Sequence, residues 1–368
     1  MYPLSLIKQF EFKCIVVLQS MSCAEIASAY SNTTLKKVVN VYQTQFVDFK
    51  ASGLGDYLRG SFMMFQLLRT LEKYTGVHID FDMDVRNHPM SRFLITNPEL
   101  EQPADYTKLG NFHIDSLLVN QDENDIAYQH IVREIVRYFN KIQQPTFFAY
   151  CCKDLVYTEI LDSEKAFIRS RLQPTSEMET YIVESMIRLG VSRPFTTLHV
   201  RLDDAVCFPH AVGTSQATLN TQLLEDLVTV VRAKIDPAKT YVLVSSNTRV
   251  KDALTGGNIK SIPTAICHIG QNQTPTEEEL KDTLLDFFLM SRSEEILAFS
   301  TYQRTGFSLE CANIYGIPYT MTKVEDKEMT ERIRLQRERF ESFMKMQQSL
   351  PYGGGRPPPN IENGSNST

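Results

Sequence analysis

The sequence has no tryptophan, no long apolar run and no excess of positive charge. A membrane-spanning helix needs about 18 to 20 consecutive apolar residues, and no stretch of this chain approaches that length. The chain carries 38 basic and 44 acidic residues, which gives a formal net charge of -6. Because binding to the phosphates of nucleic acid needs a basic surface, a general nucleic-acid binder is not expected.

The seven cysteines form no C-x-x-C pair, the spacing typical of zinc sites and of thioredoxin motifs. Five of them lie in or beside apolar runs, as in segment 147–152. We therefore expect buried, reduced thiols and a cytoplasmic protein, and a secretory protein with a few disulfides is the alternative. The apolar segment 14–18 is short and follows Glu11 and Lys13, so it makes a poor signal sequence.

The length of 368 residues predicts two large domains with a leader and a tail. A content of 42% hydrophobic and 22% charged residues is typical of globular proteins. The predicted parts are a poorly patterned leader at 1–40, two domains at 41–189 and 190–323, a helix at 324–350 and a disordered tail at 351–368.

Both domains show alternating strand and helix patterns, which predict α/β layers. In the first domain we expect strands at 45–49, 77–81, 93–96 and 146–150, and helices after residue 56 and at 126–139, 163–172 and 177–189. In the second we expect strands at 195–200, 241–245, 265–268 and 295–299, and helices at 216–232, 250–254, 277–291 and 306–315. The repeated order predicts mostly parallel sheets, which bind ligands beyond the carboxyl ends of their strands.

The first candidate site is the turn Gly53-Leu54-Gly55-Asp56, between a predicted strand and a predicted helix. Glycines let the backbone approach a ligand closely, and a helix start directs N–H groups at an anion. The turn departs from the dinucleotide fingerprint because Leu58 takes the place of the third glycine, and no Gly-Lys-Ser/Thr of a phosphate loop follows. The alternative is that Asp56 only caps the helix.

The second candidate site is segment 199–204, with the sequence His-Val-Arg-Leu-Asp-Asp, at the end of a predicted buried strand. His199 and Arg201 alternate and so share one face of the strand. An arginine is costly there unless it meets an anion, and its guanidinium fork suits phosphate. The alternatives are an internal ion pair of Arg201 with Asp203 or Asp204, and a structural histidine.

The third candidate site combines Asp286, within an apolar helix, with hydroxyl residues after the next strand. A buried aspartate is costly without a partner, and hydroxyls ahead of a helix can hydrogen-bond phosphate. These hydroxyl residues are Ser300, Thr301, Thr305 and Ser308. The alternative is a group of residues that only caps the helix.

Together and in this order, the three segments resemble the motifs of the fucosyltransferase superfamily, which includes protein O-fucosyltransferases and α1,6-fucosyltransferases. The resemblance covers residues 45–320. It implies an α/β fold of the GT-B type, in which two Rossmann-like domains face a cleft, here with a C-terminal helix and a disordered tail.

The resemblance also implies roles for individual residues. Arg201 would contact the β-phosphate and the leaving oxygen of the donor, and His199 and Asp286 would contact guanine. The other implied donor-binding residues are Gly53, Leu54, Gly55, Asp204, Ser300, Thr301, Thr305 and Ser308. The chain departs from the family pattern at Leu202, where many members have a second arginine, and at Asp203, where glycine is common.

The function implied is transfer of fucose from GDP-fucose to a glycan or protein acceptor, with inversion and without a metal or cofactor. Arg201 and Asp56 are the expected catalytic residues, and Asp80 is an alternative general base. Asp82 and Asp84 have the spacing of a metal-binding pair but lie in the first half of the chain.

Three other functions stay open. Another nucleotide sugar could be the donor on the same scaffold. A non-catalytic nucleotide- or carbohydrate-binding relative is favoured by Leu202 and Asp203. A phosphate-handling enzyme of another class, such as a sulfotransferase, is disfavoured because the chain has no phosphate loop.

Overall fold

The computed structural model describes residues 34–112, 126–152, 159–202, 221–262, 275–301 and 305–325. The described chain alternates between parallel strands and helices. The strands form two sheets, one of three strands and one of five.

The first sheet is built around β1 (Lys37–Val41), which pairs in parallel with β2 (Asp80–Asp84) and with β3 (Thr146–Ala149). Four of the five residues of β1 are buried, as expected for the middle strand of a parallel sheet covered on both faces. Helix α1 (Leu54–Thr75) follows β1, and helix α2 (Ile126–Phe139) precedes β3.

A buried asparagine ties this sheet to the helix that follows its middle strand. The side chain of Asn40, in β1, donates to Ser61 Oγ of α1 at 2.9 Å and accepts from the backbone N–H of Cys151 at 2.9 Å. Because a buried amide is costly unless it is hydrogen-bonded, this pairing fixes where α1 begins relative to the sheet.

Two helices, α3 (Asp162–Arg171) and α4 (Ser176–Leu189), connect the sheets. Each has acidic residues in its first turn and basic residues in its last turn, which suits the helix dipole. Helix α4 ends at Gly190, whose φ of 63° is the left-handed conformation that glycine adopts at little cost.

The second sheet has β4 (Thr196–Arg201) at its centre, paired in parallel with β5 (Tyr241–Ser245) and β7 (Glu295–Ser300). The outer strands are β6 (Ile259–Ser261), beside β5, and β8 (Tyr319–Lys323), beside β7. The helices of this half are α5 (Thr221–Arg232), α6 (Thr248–Leu254), α7 (Glu277–Met290) and α8 (Gly306–Tyr315).

Apolar side chains form two main clusters, one on each face of the second sheet. The larger cluster includes side chains of α1, α4, α7 and α8 and continues into the first sheet. The smaller cluster joins β4 and β5 to α5 and α6. The two halves of the molecule therefore share one continuous apolar core, with α7 and α8 on the side that faces the first half.

Two predicted strands are wrong. Residues 45–49 form a tight turn closed by a bridge between Gln45 and Lys50, and the first strand is β1, within the segment expected to be the leader. The aromatic rings of Phe46 and Phe49 stack on each other across this turn, with 4.3 Å between ring centroids. Residues 93–96 also form no strand, because the chain makes a 3₁₀ turn at Pro89–Phe93 and then a single bridge from Leu94 to Pro174.

The remaining described elements agree more closely with the sequence pattern. Helices α2 and α8 and strand β5 have the predicted bounds, and most others differ by one or two residues at each end. Strand β8 has no counterpart among the predicted strands. The predicted strand at 265–268, most of the leader, and the C-terminal helix and tail beyond residue 325 lie outside the described residues.

Three of the seven cysteines, Cys151, Cys152 and Cys311, lie in the described part of the chain, all as thiols and none in a disulfide. Cys151 and Cys311 are buried, as expected from their apolar surroundings. Among the helices described, none is both long enough and apolar enough to cross a membrane.

Candidate functional site

The carboxyl edges of the two sheets face each other at the starts of two helices. Helix α1 follows β1 and helix α8 follows β7, so each begins at the carboxyl edge of its own sheet. A Cβ atom placed on Gly55 would lie 2.5 Å from the backbone nitrogen of Phe307 and 2.7 Å from the carbonyl carbon of Gly306. The backbones therefore touch at this point, and only glycine at position 55 permits it.

Asp56 lies at this junction. Its Oδ1 accepts a hydrogen bond from Arg59 Nη2 at 2.5 Å, and a Cβ atom on Gly306 would lie 3.7 Å from the same oxygen. Arg59 also donates to the carbonyl of Cys152 at 3.3 Å. The close approach of α1 to the backbone at Cys151 and Cys152 requires glycine at position 60. A Cβ atom on Gly60 would lie 2.0 Å from the carbonyl oxygen of Cys151.

Asp80, the alternative general base, lies at the opposite edge of the first sheet from Asp56. It is the first residue of β2, so it is at the amino edge of the sheet, about 13 Å along the strand from the carboxyl edge. Its exposed carboxylate is 3.4 Å from Nε2 of His78. Of the two candidates, only Asp56 is at the edge that faces the second half of the molecule.

The second candidate segment places its arginine at the end of the central strand. Arg201 is the last residue of β4 and pairs in register with Ser300 of β7. His199 lies two residues earlier on the same face, 5% exposed, with its ring centroid 6.3 Å from that of Phe307. Burial and the charge of Arg201 lower the pKa of His199 to about 3, so the ring is neutral at physiological pH. Its Nδ1 has no hydrogen-bonding partner in the part of the chain that the structure describes.

Asp286 is buried on the side of α7 that faces the core, with 8% of its surface exposed. Burial raises the pKa of Asp286 to about 7, against the effect of Lys251, and Asp282 raises it further. No described residue makes a hydrogen bond to its carboxyl group. A buried carboxyl group with a strongly raised pKa is a candidate for a functional role.

The hydroxyl residues of the third segment fall into two groups. Thr305 Oγ1 is 2.7 Å from Ser308 Oγ and 2.7 Å from the hydroxyl of Tyr319, so these three groups satisfy one another at the start of α8. Thr301 Oγ1, in contrast, is buried and has no hydrogen-bonding partner among the described residues. Ser300 is fully buried at the end of β7. The donor role of Thr305 and Ser308 stays a prediction, and their mutual bonds agree with the capping alternative.

The rest of the predicted site is only partly described. Gly53 precedes the first turn of α1, and its carbonyl accepts from the N–H groups of Asp56 and Tyr57 at 3.0 and 3.1 Å. Leu54 is buried in the core. Asp204, with residues 203–220, lies outside the described residues, so the proposed ion pair with Arg201 is not tested.

The two aspartates with metal-like spacing are already paired with arginines. Asp82 accepts from Arg171 at 2.7 and 3.3 Å. Asp84 accepts from Arg86 at 2.9 and 2.8 Å and from the hydroxyl of Tyr106 at 2.8 Å. In the described ranges, no group of three or more histidine, cysteine or carboxylate side chains is placed to hold a metal ion.

Sequence reasoning missed two residues of this region, Arg59 and Lys251. Arg59 orients Asp56, and the only local signal was its position three residues further along the same helix. Lys251 is buried close to Asp286, although a lysine in a polar stretch is normally expected at the surface.

The described fold is of the GT-B type, as the motif resemblance implied: α/β, with two parallel sheets whose carboxyl edges face each other. Comparison with known proteins found similar solved structures, among them several fucosyltransferases. No protein-family model and no curated protein matches the chain.

Three of the solved structures illustrate the similarity. NodZ fucosyltransferase from Bradyrhizobium has 12% identity and a TM-score of 0.41, with 75% of this chain and 92% of that chain covered. A variant of FUT1 from Arabidopsis thaliana in complex with GDP has 9% identity and a TM-score of 0.45, with coverage of 83% and 75%. POFUT1 in complex with GDP-fucose has 13% identity and a TM-score of 0.38, with coverage of 80% and 100%. At these identities the similarity concerns the fold alone.

Proposed function

We propose that this protein is a glycosyltransferase that takes a sugar from a nucleoside-diphosphate donor, with GDP-fucose favoured, and transfers it to a glycan or protein acceptor. The observation that carries the proposal is the position of Arg201. It ends the central strand of the second sheet, at the edge where the starts of α1 and α8 meet. The motif resemblance around His199 and Asp286 supports a guanine nucleotide.

The proposed reaction needs stabilisation of negative charge. When the bond between the anomeric carbon and the diphosphate oxygen breaks, positive charge develops on the sugar and negative charge on the diphosphate. The guanidinium of Arg201, with N–H groups at a helix start, would stabilise that negative charge. Arginine suits this role because its planar fork of donors matches phosphate oxygens.

Asp56 is the proposed general base. Its carboxylate would accept the proton of the acceptor hydroxyl as the hydroxyl oxygen attacks the anomeric carbon. A single displacement of this kind inverts the configuration at that carbon. Arg59 holds the carboxylate at the junction of the two halves, which limits the orientations that Asp56 can adopt.

The nucleotide preference can be tested without knowing the acceptor. We expect GDP to raise the Tm of the protein more than UDP or ADP does, since a ligand that binds only the folded state stabilises it. At a hundredfold excess over Kd the stabilisation is about 2.7 kcal/mol. A thermal-shift panel of the three nucleotides measures this, and a lack of response to all of them would contradict the proposed donor site.

Metal independence is a second proposal, motivated by the pairing of Asp82 with Arg171 and of Asp84 with Arg86. Turnover of the preferred donor is expected to be unchanged in excess EDTA, because the arginines already neutralise these carboxylates. Initial rates with and without chelator measure the effect. Loss of activity that Mg²⁺ or Mn²⁺ restores would overturn this proposal.

A non-catalytic nucleotide-binding relative is the second candidate function. The observation that favours it is the short contact between Asp56 and Arg59, which already occupies one carboxylate oxygen of the proposed base. Turnover of GDP-fucose distinguishes the two functions. A protein that binds GDP but neither hydrolyses nor transfers the sugar of GDP-fucose would be such a relative.

A further inference from the structure

Two buried tyrosines hold the backbone of Ser52, two residues before the start of α1. The hydroxyl of Tyr42 donates to the carbonyl of Ser52 at 3.1 Å, and the backbone N–H of Ser52 donates to the hydroxyl of Tyr150 at 2.7 Å. Tyr42 directly follows β1 and Tyr150 directly follows β3, so both hydroxyls reach Ser52 from the carboxyl edge of the first sheet. We refer to these two hydrogen bonds as the Ser52 clamp.

The rings that form the clamp are fixed by their surroundings. Tyr42 is fully buried, and Tyr150 is 1% exposed. The ring of Tyr42 stacks on the rings of Tyr57 and His88, with 4.5 and 4.4 Å between centroids. The ring of Tyr150 lies 5.0 and 5.6 Å from the two phenylalanine rings of the turn at 45–49. Burial raises the pKa of both tyrosines, so their hydroxyls stay protonated at physiological pH.

The start of α1 depends on this support. Gly53, the residue before the helix, has no side chain with which to cap it, the role that serine, threonine, asparagine or aspartate commonly plays. The carbonyl of Gly53 accepts from the N–H groups of Asp56 and Tyr57 at 3.0 and 3.1 Å. Because only Gly53 separates Ser52 from the helix, the clamp determines where this carbonyl and the first turn of α1 lie.

The clamp and Arg59 act on different parts of Asp56. Arg59 bonds the carboxylate, whereas the clamp fixes the backbone that carries it. A general base must lie within hydrogen-bond reach of the proton that it accepts, and a displacement of about 1 Å can lower a rate about 10²-fold. The position of the backbone before α1 therefore bears on the reaction.

We propose that Tyr42 and Tyr150 are positioning residues that hold Asp56, through the backbone before α1, where its carboxylate can accept the proton of the attacking hydroxyl. The inference rests on the proposed function, because Asp56 is the proposed general base. Both tyrosines act through Ser52 and need not touch the donor or the acceptor.

The test uses Tyr42→Phe, Tyr150→Phe and the double variant, which remove hydroxyl groups and keep the stacked rings. The measurements are the release of GDP from GDP-fucose at saturating donor and the Kd of GDP by titration calorimetry. Each single variant is expected to lower kcat about 3- to 10-fold, the factor that corresponds to one hydrogen bond, and the double variant about 10- to 50-fold. The Kd of GDP should change by no more than about threefold.

A matched control and a second background separate positioning from a general effect on the fold. The hydroxyl of Tyr241 also accepts from a backbone N–H, that of Asp236 at 2.9 Å, but at the amino edge of the second sheet. Tyr241→Phe should therefore leave kcat unchanged. Once Asp56 is asparagine, removal of both clamp hydroxyls should change the residual kcat by less than about twofold, because the group that they position is gone.

Hydrogen exchange tests the clamp without turnover. The amides of Asp56 and Tyr57, which bond the carbonyl of Gly53, should exchange about 5- to 10-fold faster in the Tyr42→Phe/Tyr150→Phe protein than in the wild type. Tyr241→Phe should leave both exchange rates unchanged.

Three results would overturn the inference. They are a folded double variant with the wild-type kcat, the same fall in kcat in the Asp56→Asn background, and unchanged exchange of the two amides. Should the double variant fail to fold, the single variants decide, since each keeps one bond of the clamp. A wild-type protein that neither binds GDP nor releases it from GDP-fucose would instead contradict the proposed function, and the exchange rates would still show whether the clamp holds the start of α1.

Discussion

Replacing Arg201 with alanine is expected to lower kcat for the preferred donor by about 10²- to 10³-fold, the usual loss when one fixed donor to a developing negative charge is removed. Arg201 ends β4 and is only partly buried, so alanine leaves the strand pairing with Ser300 in place. The measurement is the initial rate at saturating donor, with Tm and circular dichroism to confirm the fold.

Two further substitutions make this result specific. Arg201→Lys keeps the charge but loses the planar fork, so its activity should lie between those of the wild type and the alanine variant. Arg232→Ala serves as the matched control, because Arg232 ends α5 on the other side of the sheet and donates to the carbonyl of Ala253 at 3.3 Å. Nearly normal activity in a folded Arg201→Ala protein would identify Arg201 as a structural residue.

The second large effect is expected from Gly55→Ala. The added methyl group would lie 2.5 to 2.7 Å from backbone atoms of Gly306 and Phe307, which cannot rotate away as a side chain could. The starts of α1 and α8 must then separate, at a cost of about 1 to 3 kcal/mol in the free energy of unfolding. A displacement of about 1 Å between catalytic groups can lower the rate about 10²-fold, so kcat/KM should fall by that order.

The control for this prediction lies on the other side of the same contact. A methyl group on Gly306 would meet nothing closer than Asp56 Oδ1 at 3.7 Å, which is an ordinary contact distance. Gly306→Ala should therefore leave Tm and kcat/KM near the wild-type values. Equal effects of the two substitutions would show that the backbone contact at Gly55 does not position the site.

Local sequence pattern predicted the parts of the site that depend on one strand or one helix. His199 and Arg201 share one face as soon as β4 is a strand. The apolar residues of β4 are enough to predict that strand. The helix predicted at 277–291 is equally local, because Thr276 and Glu279 cap its start by bonding groups three residues away.

Features that depend on distant segments could not be predicted in this way. Thr305 and Ser308 bond to Tyr319 on β8, a strand with a mixed polar pattern that gives no clear signal. Residues 45–49 are rich in apolar and aromatic residues, as a strand is, but in the structure Phe46 and Phe49 stack on each other across a turn. Lys251 lies in a polar stretch typical of the surface, yet the folded chain buries it.

The two close-contact glycines of α1 also bear on how the cleft can open. Gly55 touches the start of α8 and Gly60 touches the carbonyl of Cys151, and the two positions are about 7.5 Å apart along one helix. The contact at Gly60 lies within the first half, whereas the contact at Gly55 joins the two halves through backbone atoms, so no flexible side chain there can absorb a change in the angle between them. Opening would therefore expose the amide of Phe307, and the rate of its hydrogen exchange would report that motion directly.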